Sequence, residues 1–131
     1  MPSRIIRESI LDSERYLELN EGEQLLFIHL LLLADDFGCV SVAPAFLGRR
    51  AFAERPGLPR LIRMLSALAD VDLIRIYESG GARFAFIPRF GQRLRVLHLR
   101  SPIPPDSVLN DDPEAQKKFQ QFKENGDNLT G

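Results

Sequence analysis

The chain has 131 residues, 44% hydrophobic and 27% charged, with a formal net charge of −1; this suits a folded unit with a real core and excludes a wholly disordered polymer. Its one cysteine, Cys39, excludes an internal disulfide framework and fits a reducing, cytoplasmic setting. The most apolar run, residues 25–34, is too short to cross a bilayer and contains His29, and the first residues lack the basic, apolar and small-residue order of a signal peptide.

Residues 4–7 read as a short extended lead. Asp12 or Ser13 is placed to cap a short helix through Tyr16 and Leu19. Asn20 ends that helix and caps the next, with Glu23 three residues on completing a capping box. The second helix, residues 21–34, is apolar nearly all round, so it is expected to be buried on most sides or to face a partner. Asp35-Asp36-Phe37-Gly38 ends it, Gly38 supplying a positive φ. Residues 39–42 suit a very short strand. Pro44 opens a third helix carrying Phe46, Leu47 and Phe52, weakened by Gly48. Arg55-Pro56-Gly57 is a break before a fourth helix over residues 58–70.

On the fourth helix Leu61, Met64, Leu65 and Leu68 recur at helical spacing and make one apolar face. Arg60, Arg63, Ser66, Ala67 and Asp70 fall on the other side, polar or small throughout. Such a face is either an ordinary solvated surface or one that can enter a major groove. Residues 73–78 and 83–87 then read as two strands around Gly80-Gly81, which suit a two-residue primed turn. That turn pairs Ile74 with Ile87, Ile76 with Ala85 and Glu78 with Arg83 on the expected core side. Tyr77 meets Phe84 and Arg75 meets Phe86 on the other, where packing is expected ahead of ligand binding. An Arg-rich segment follows, with Arg89, Arg93 and Arg95, and then a Pro-containing linker from residue 101. Residues 107–131 are polar. A weak helix over 113–123 offers only Phe119 and Phe122, so the tail is expected to be disordered or a docking peptide.

Charge is unevenly placed. Residues 1–39 hold three Arg against eight acidic groups, residues 40–100 eleven Arg against four, and residues 101–131 three Lys against six, giving −5, +7 and −3. Arginine favours bidentate contact with phosphate and base edges. Helix, helix, short strand, helix, helix and hairpin is the order of a winged helix-turn-helix, a mostly α fold with a small β-hairpin. The fourth helix stands in the recognition position and the Gly80-Gly81 hairpin is the wing. The expected organisation is a DNA-binding domain over residues 1–100 and an acidic linker and tail over 101–131. Arg60, Arg63 and Ser66 are the candidates for base edges or nearby phosphates. Arg49, Arg50, Arg55, Arg83, Arg89, Arg93 and Arg95 are the candidates for phosphate.

Two stretches also resemble a known family. Leu30-Leu31-Leu32-Leu33-Ala34-Asp35-Asp36-Phe37-Gly38 is similar to a signature of phage and prophage replication proteins. Ile76-Tyr77-Glu78, then Ile87-Pro88-Arg89-Phe90-Gly91-Gln92-Arg93 and Ser101-Pro102-Ile103-Pro104, is similar to their ending. The family is the winged-helix N-terminal domain of replication initiators and replisome organisers, matched over residues 4–105. The resemblance implies binding of double-stranded origin DNA and recruitment of helicase machinery. The chain departs from it in having a tail too short for a folded loader-binding module. A homodimer through the second helix or the hairpin's aromatic face, and a helicase or helicase-loader contact through the tail, are the protein partners considered.

No HExxH, cysteine pair or histidine cluster suggests a metal, and no phosphate loop is present. His29 reads as a hydrogen-bonded core residue, His98 as surface, and Asp35-Asp36 as turn and cap groups. Cys39 lacks a base nearby in sequence. Neither an enzyme nor a cofactor is expected. The leading expectation is a sequence-preferring duplex-DNA binder in phage, prophage or mobile-element replication. A winged-helix transcriptional regulator and a winged-helix protein-interaction module are the alternatives.

Overall fold

Capping sets the helix starts. The computed structural model describes residues 4–54, 56–92 and 99–130, with side chains except at Arg49 and residues 125–130; Arg55, Arg93, Arg95 and His98 lie outside the described residues. After a 3-10 turn at Glu8–Asp12, the Ser13 hydroxyl accepts the Tyr16 N–H and starts α1 (Glu14–Leu17). The Asn20 side chain accepts the Glu23 N–H at 2.8 Å, and the Glu23 carboxylate accepts the Asn20 N–H at 3.0 Å. This reciprocal cap opens α2 (Glu21–Leu33) as the sequence predicts. Gly38 takes φ +89° in the turn to β1 (Cys39–Ser41). A Cβ there would press within 3.1 Å of the Phe90 ring. α3 (Pro44–Ala51) is interrupted at Gly48, whose φ of 34° and ψ of −132° are not helical. α4 (Leu58–Asp70) buries Leu61, Met64, Leu65 and Leu68, the predicted face.

The hairpin forms in the predicted register. β2 (Arg75–Ser79) and β3 (Ala82–Phe86) pair Ile76 with Ala85, Tyr77 with Phe84 and Glu78 with Arg83. Gly80 and Gly81 hold φ values of +60° and +79° in the turn, a conformation L side chains adopt at a cost. β1 pairs antiparallel with β3, so the sheet order is β1-β3-β2. The sheet's inner face, with Ile74, Ala85 and Ile87, closes one core with Leu26, Leu30 and Leu31 of α2 and the apolar face of α4. Each large aliphatic side chain buried there contributes about 1.5–3 kcal/mol relative to exposure.

The outer face corrects the expectation of a disordered tail in favour of its docking alternative. α5 (Asp106–Leu109) forms after the Pro-containing segment, and the weak helix expected over 113–123 forms within α6 (Pro113–Thr130). Phe119 is buried and stacks on Phe37 at 4.7 Å, while Phe122 meets Phe37 edge-on at 5.3 Å. Val108, Leu109, Ala115 and Phe119 thereby cover Cys39, Tyr77 and Phe86 in a second core. The tail cannot bury enough alone, but the sheet offers it an apolar face, against which Leu99 and Ile103 also pack. Among the described residues no helix is long and apolar enough to cross a membrane.

Candidate nucleic-acid interface

Because Leu61, Met64, Leu65 and Leu68 turn inward, α4 holds Arg60, Arg63 and Ser66 exposed. Among the described residues, neither guanidinium has a hydrogen bond or ion pair with any other residue. Ala67, grouped with them in the sequence, is half-buried and packs on the core. Leu58 and Ile62 are exposed on the same helix at 57% and 44%. They were legible as apolar positions outside the Leu61/Met64/Leu65/Leu68 face. At the hairpin, Arg83 lies 3.9 Å from Glu78, both well exposed, a loose pair that water screens.

The other candidate arginines are placed differently. Arg50 is exposed and lines a recess with Leu32, Phe46, Phe84 and Arg100, to which neither Arg60 nor Arg63 contributes. The backbone of Arg49 lies in α3. Arg89 is exposed but tied down by aspartates. Its guanidinium donates to the Asp72 carboxylate at 3.3 Å and to the Asp72 carbonyl, and its N–H donates to Asp112 at 2.9 Å. Arg75 is held more firmly still, by Asp72 at 2.9 Å, Asp111 at 2.6 Å and the Val108 carbonyl at 2.8 Å. These bonds hold the Asp72 and Asp111 carboxyls below their ordinary value, the Arg75 hydrogen bond being the main cause for each.

The residues that carry the family resemblance meet at a structural junction. Asp35 is buried, and its carboxylate accepts N–H groups from Phe37, Cys39, Arg100 and Ser101 at 2.9–3.3 Å. Burial pushes its pKa up, against the pull of those four bonds. Tyr77 donates to the Pro102 carbonyl at 2.6 Å. Together they staple residues 100–102 across the end of α2 and β1. Asp36 pairs at 3.2 Å with Arg4, whose guanidinium also donates to the Ala34 carbonyl and lies over the Phe90 ring. The Gln92 amide donates to the Ile5 carbonyl at 2.8 Å and accepts the Ile5 N–H at 2.9 Å, fastening the extended lead. Burial raises the Cys39 thiol to about 12, so it stays protonated, and the thiol is not a nucleophile at neutral pH. His29 is half-buried, its Nδ1 2.8 Å from the Ala51 carbonyl.

No family model matches the chain, and neither a curated protein nor a solved structure is found similar to it.

Proposed function

We propose that this chain is a winged helix-turn-helix protein that binds double-stranded DNA with sequence preference. The element order, the β1-β3-β2 sheet and the glycine-turned hairpin suit that fold. α4 is the recognition helix and the β2–β3 hairpin the wing. Arg60 and Arg63 meet guanine edges or flanking phosphates, Ser66 a base edge further along, and Arg83 the sugar-phosphate backbone. Leu58 and Ile62 suit contact with thymine methyl groups. The observation that carries the proposal is the unpartnered state of Arg60 and Arg63 on an exposed helix face. Arg75 and Arg89, in the same cationic stretch of residues 40–100, are bound by aspartates.

The setting, initiation of replication of a phage, prophage or other mobile element in the cytoplasm, is supported by the sequence resemblance. In that setting a helicase or helicase-loader contact falls to the solvent side of α6, which the sheet leaves uncovered. Selection from a random duplex pool followed by anisotropy titration tests the proposal. A common motif should be enriched, and affinity for it should fall steeply with salt, since each neutralised phosphate releases counterions. Absence of binding at micromolar protein in low salt, or a flat salt response, rejects it.

A further inference from the structure

The solvent-facing stripe of α2 is more apolar than a solvated helix requires. Leu25 and Leu32 stand seven residues apart, 55% and 52% exposed. Ile28 and His29 lie half-buried between them. Two turns separate the leucines, so they share one side of the helix, with Glu21 one turn before Leu25 on that side. At the C-terminal end of the stripe lies a recess of about 240 Å³ whose lining includes Leu32, Leu33, Phe46 and Phe84 with Arg50 and Arg100, and also Asp35, whose carboxylate is already held by four backbone N–H groups. Phe46 is itself 40% exposed, and neither of these arginine side chains has a partner among the described residues. At the N-terminal end the charge reverses. Glu18 and Glu21 are exposed, and neither carboxylate has an ion pair among the described residues.

We propose that two copies of this chain pair antiparallel along α2, about a two-fold axis between Ile28 and His29. That axis sets Leu25 of one copy beside Leu32 of the other. It also brings Glu18 and Glu21 of each copy to the recess where its partner holds Arg50 and Arg100. The apolar seam runs along α2, with the acidic groups before and at its start and the arginine-bearing recess beside its other end. A surface arranged this way is self-complementary under a two-fold, and a closed isologous dimer satisfies all of it at once. A parallel pairing would set carboxylate against carboxylate and leave both recesses empty. An unrelated partner would have to reproduce the same gradient in reverse. The inference stands independently of DNA binding, since it uses neither α4 nor the tip of the hairpin.

Sedimentation of the full chain across the micromolar range tests it. A species of twice the chain mass should form and dissociate on dilution. Leu25→Asp and Leu32→Asp should each give a monomer with an unchanged melt in dilute solution, because both side chains are already exposed. Glu21→Arg and Arg100→Glu should each weaken the dimer by about tenfold. The double variant should recover most of that loss, which only opposed ends in contact explain. A chain that stays monomeric throughout overturns the proposal, including one that takes up an acidic peptide at this stripe. So does a dimer indifferent to both leucine variants, or a charge-swapped double variant no tighter than the singles.

Discussion

The outer face of the sheet and the solvent face of α4 both carry arginine, in opposite conditions. Arg75 is enclosed by Asp72, Asp111 and the Val108 carbonyl, its side chain 16% exposed. It works as a clamp between the hairpin and the tail. Arg60 and Arg63 project from α4 with no carboxylate in reach among the described residues. A guanidinium already holding two carboxylates has little left for phosphate, so a count of cations overstates the surface available to a ligand. Among the described residues, the arginines of residues 40–100 include both clamps and free groups, and the division separates stability from binding.

Reversing the α4 charges should have the largest effect. Two good base-edge contacts contribute about 1–3 kcal/mol each, so Arg60→Glu with Arg63→Glu should weaken duplex binding by about 2–6 kcal/mol. Folding should shift by less than about 0.5 kcal/mol, since both side chains are exposed and unpaired. Anisotropy titration beside a urea melt reads both quantities. Unchanged affinity would erase the distinction between the two faces.

Next comes the tail. Phe119 is 2% exposed between Phe37 and Phe86, and truncating a buried aromatic costs about 3–5 kcal/mol. Phe119→Ala should lower stability by that order in a urea melt while leaving duplex affinity intact at temperatures where the protein stays folded. A melt that does not move would mean that the outer face needs no cover.

Arg75→Ala should cost less, about 1 kcal/mol, through the lost bond to the Val108 carbonyl and the lost tie between hairpin and tail, since water reaches both aspartates. It should also change the response to acid. The native pKa of Asp72 lies below the ordinary 3.8, so its contribution is present above that value and is lost as pH falls through the native one. Asp35 runs the other way. Its native pKa is raised from 3.8 by burial, so its contribution is full below the ordinary value and declines as pH rises through the native one. Wild-type protein should therefore lose stability on acidification below about pH 4 more steeply than Arg75→Ala, whereas Asp35 adds stability to both as pH falls toward that range from above. Equal acid limbs in pH-dependent urea melts would show that the aspartates do not depend on Arg75.

Much of this was legible because it is local. The Asn20/Glu23 cap, the Gly80-Gly81 register and the apolar face of α4 each depend on residues within a few positions of one another, and all three form as predicted. The tail's helix was legible, but the face it docks on was not. Phe119 and Phe122 look stranded on a polar helix, and the ring they meet, Phe37, lies more than eighty positions earlier. Periodicity shows which side of a helix is apolar and says nothing of which distant face will cover it. The alternation of the hairpin was read as one core side and one packing side, yet Phe86 on the second side is as buried as Ala85 on the first. Asp72 was missed as a partner for Arg75 and Arg89. Its clamp is formed by the bend after α4, where Asp72 takes a positive φ of 59° that aspartate tolerates better than most residues.

Arg83 lies between the two conditions and should give the smallest effect. Its 3.9 Å approach to Glu78 joins two exposed side chains, and such pairs contribute about 0–1 kcal/mol. Arg83→Ala should therefore leave the melt nearly unchanged. If the hairpin tip rests on the sugar-phosphate backbone, removing one phosphate contact weakens binding to all duplex sequences by a similar factor. It also makes the slope of log K against log salt shallower by about 0.9, the increment for one phosphate on B-form DNA. A base contact behaves otherwise: its loss relaxes preference at one position of the motif. Measured on the selected motif and on a scrambled duplex, Arg83→Ala should lower both affinities together, whereas Arg63→Ala should narrow the gap between them. If Arg83→Ala instead narrows that gap, the hairpin reads bases, and the division of labour between helix and wing has to be redrawn.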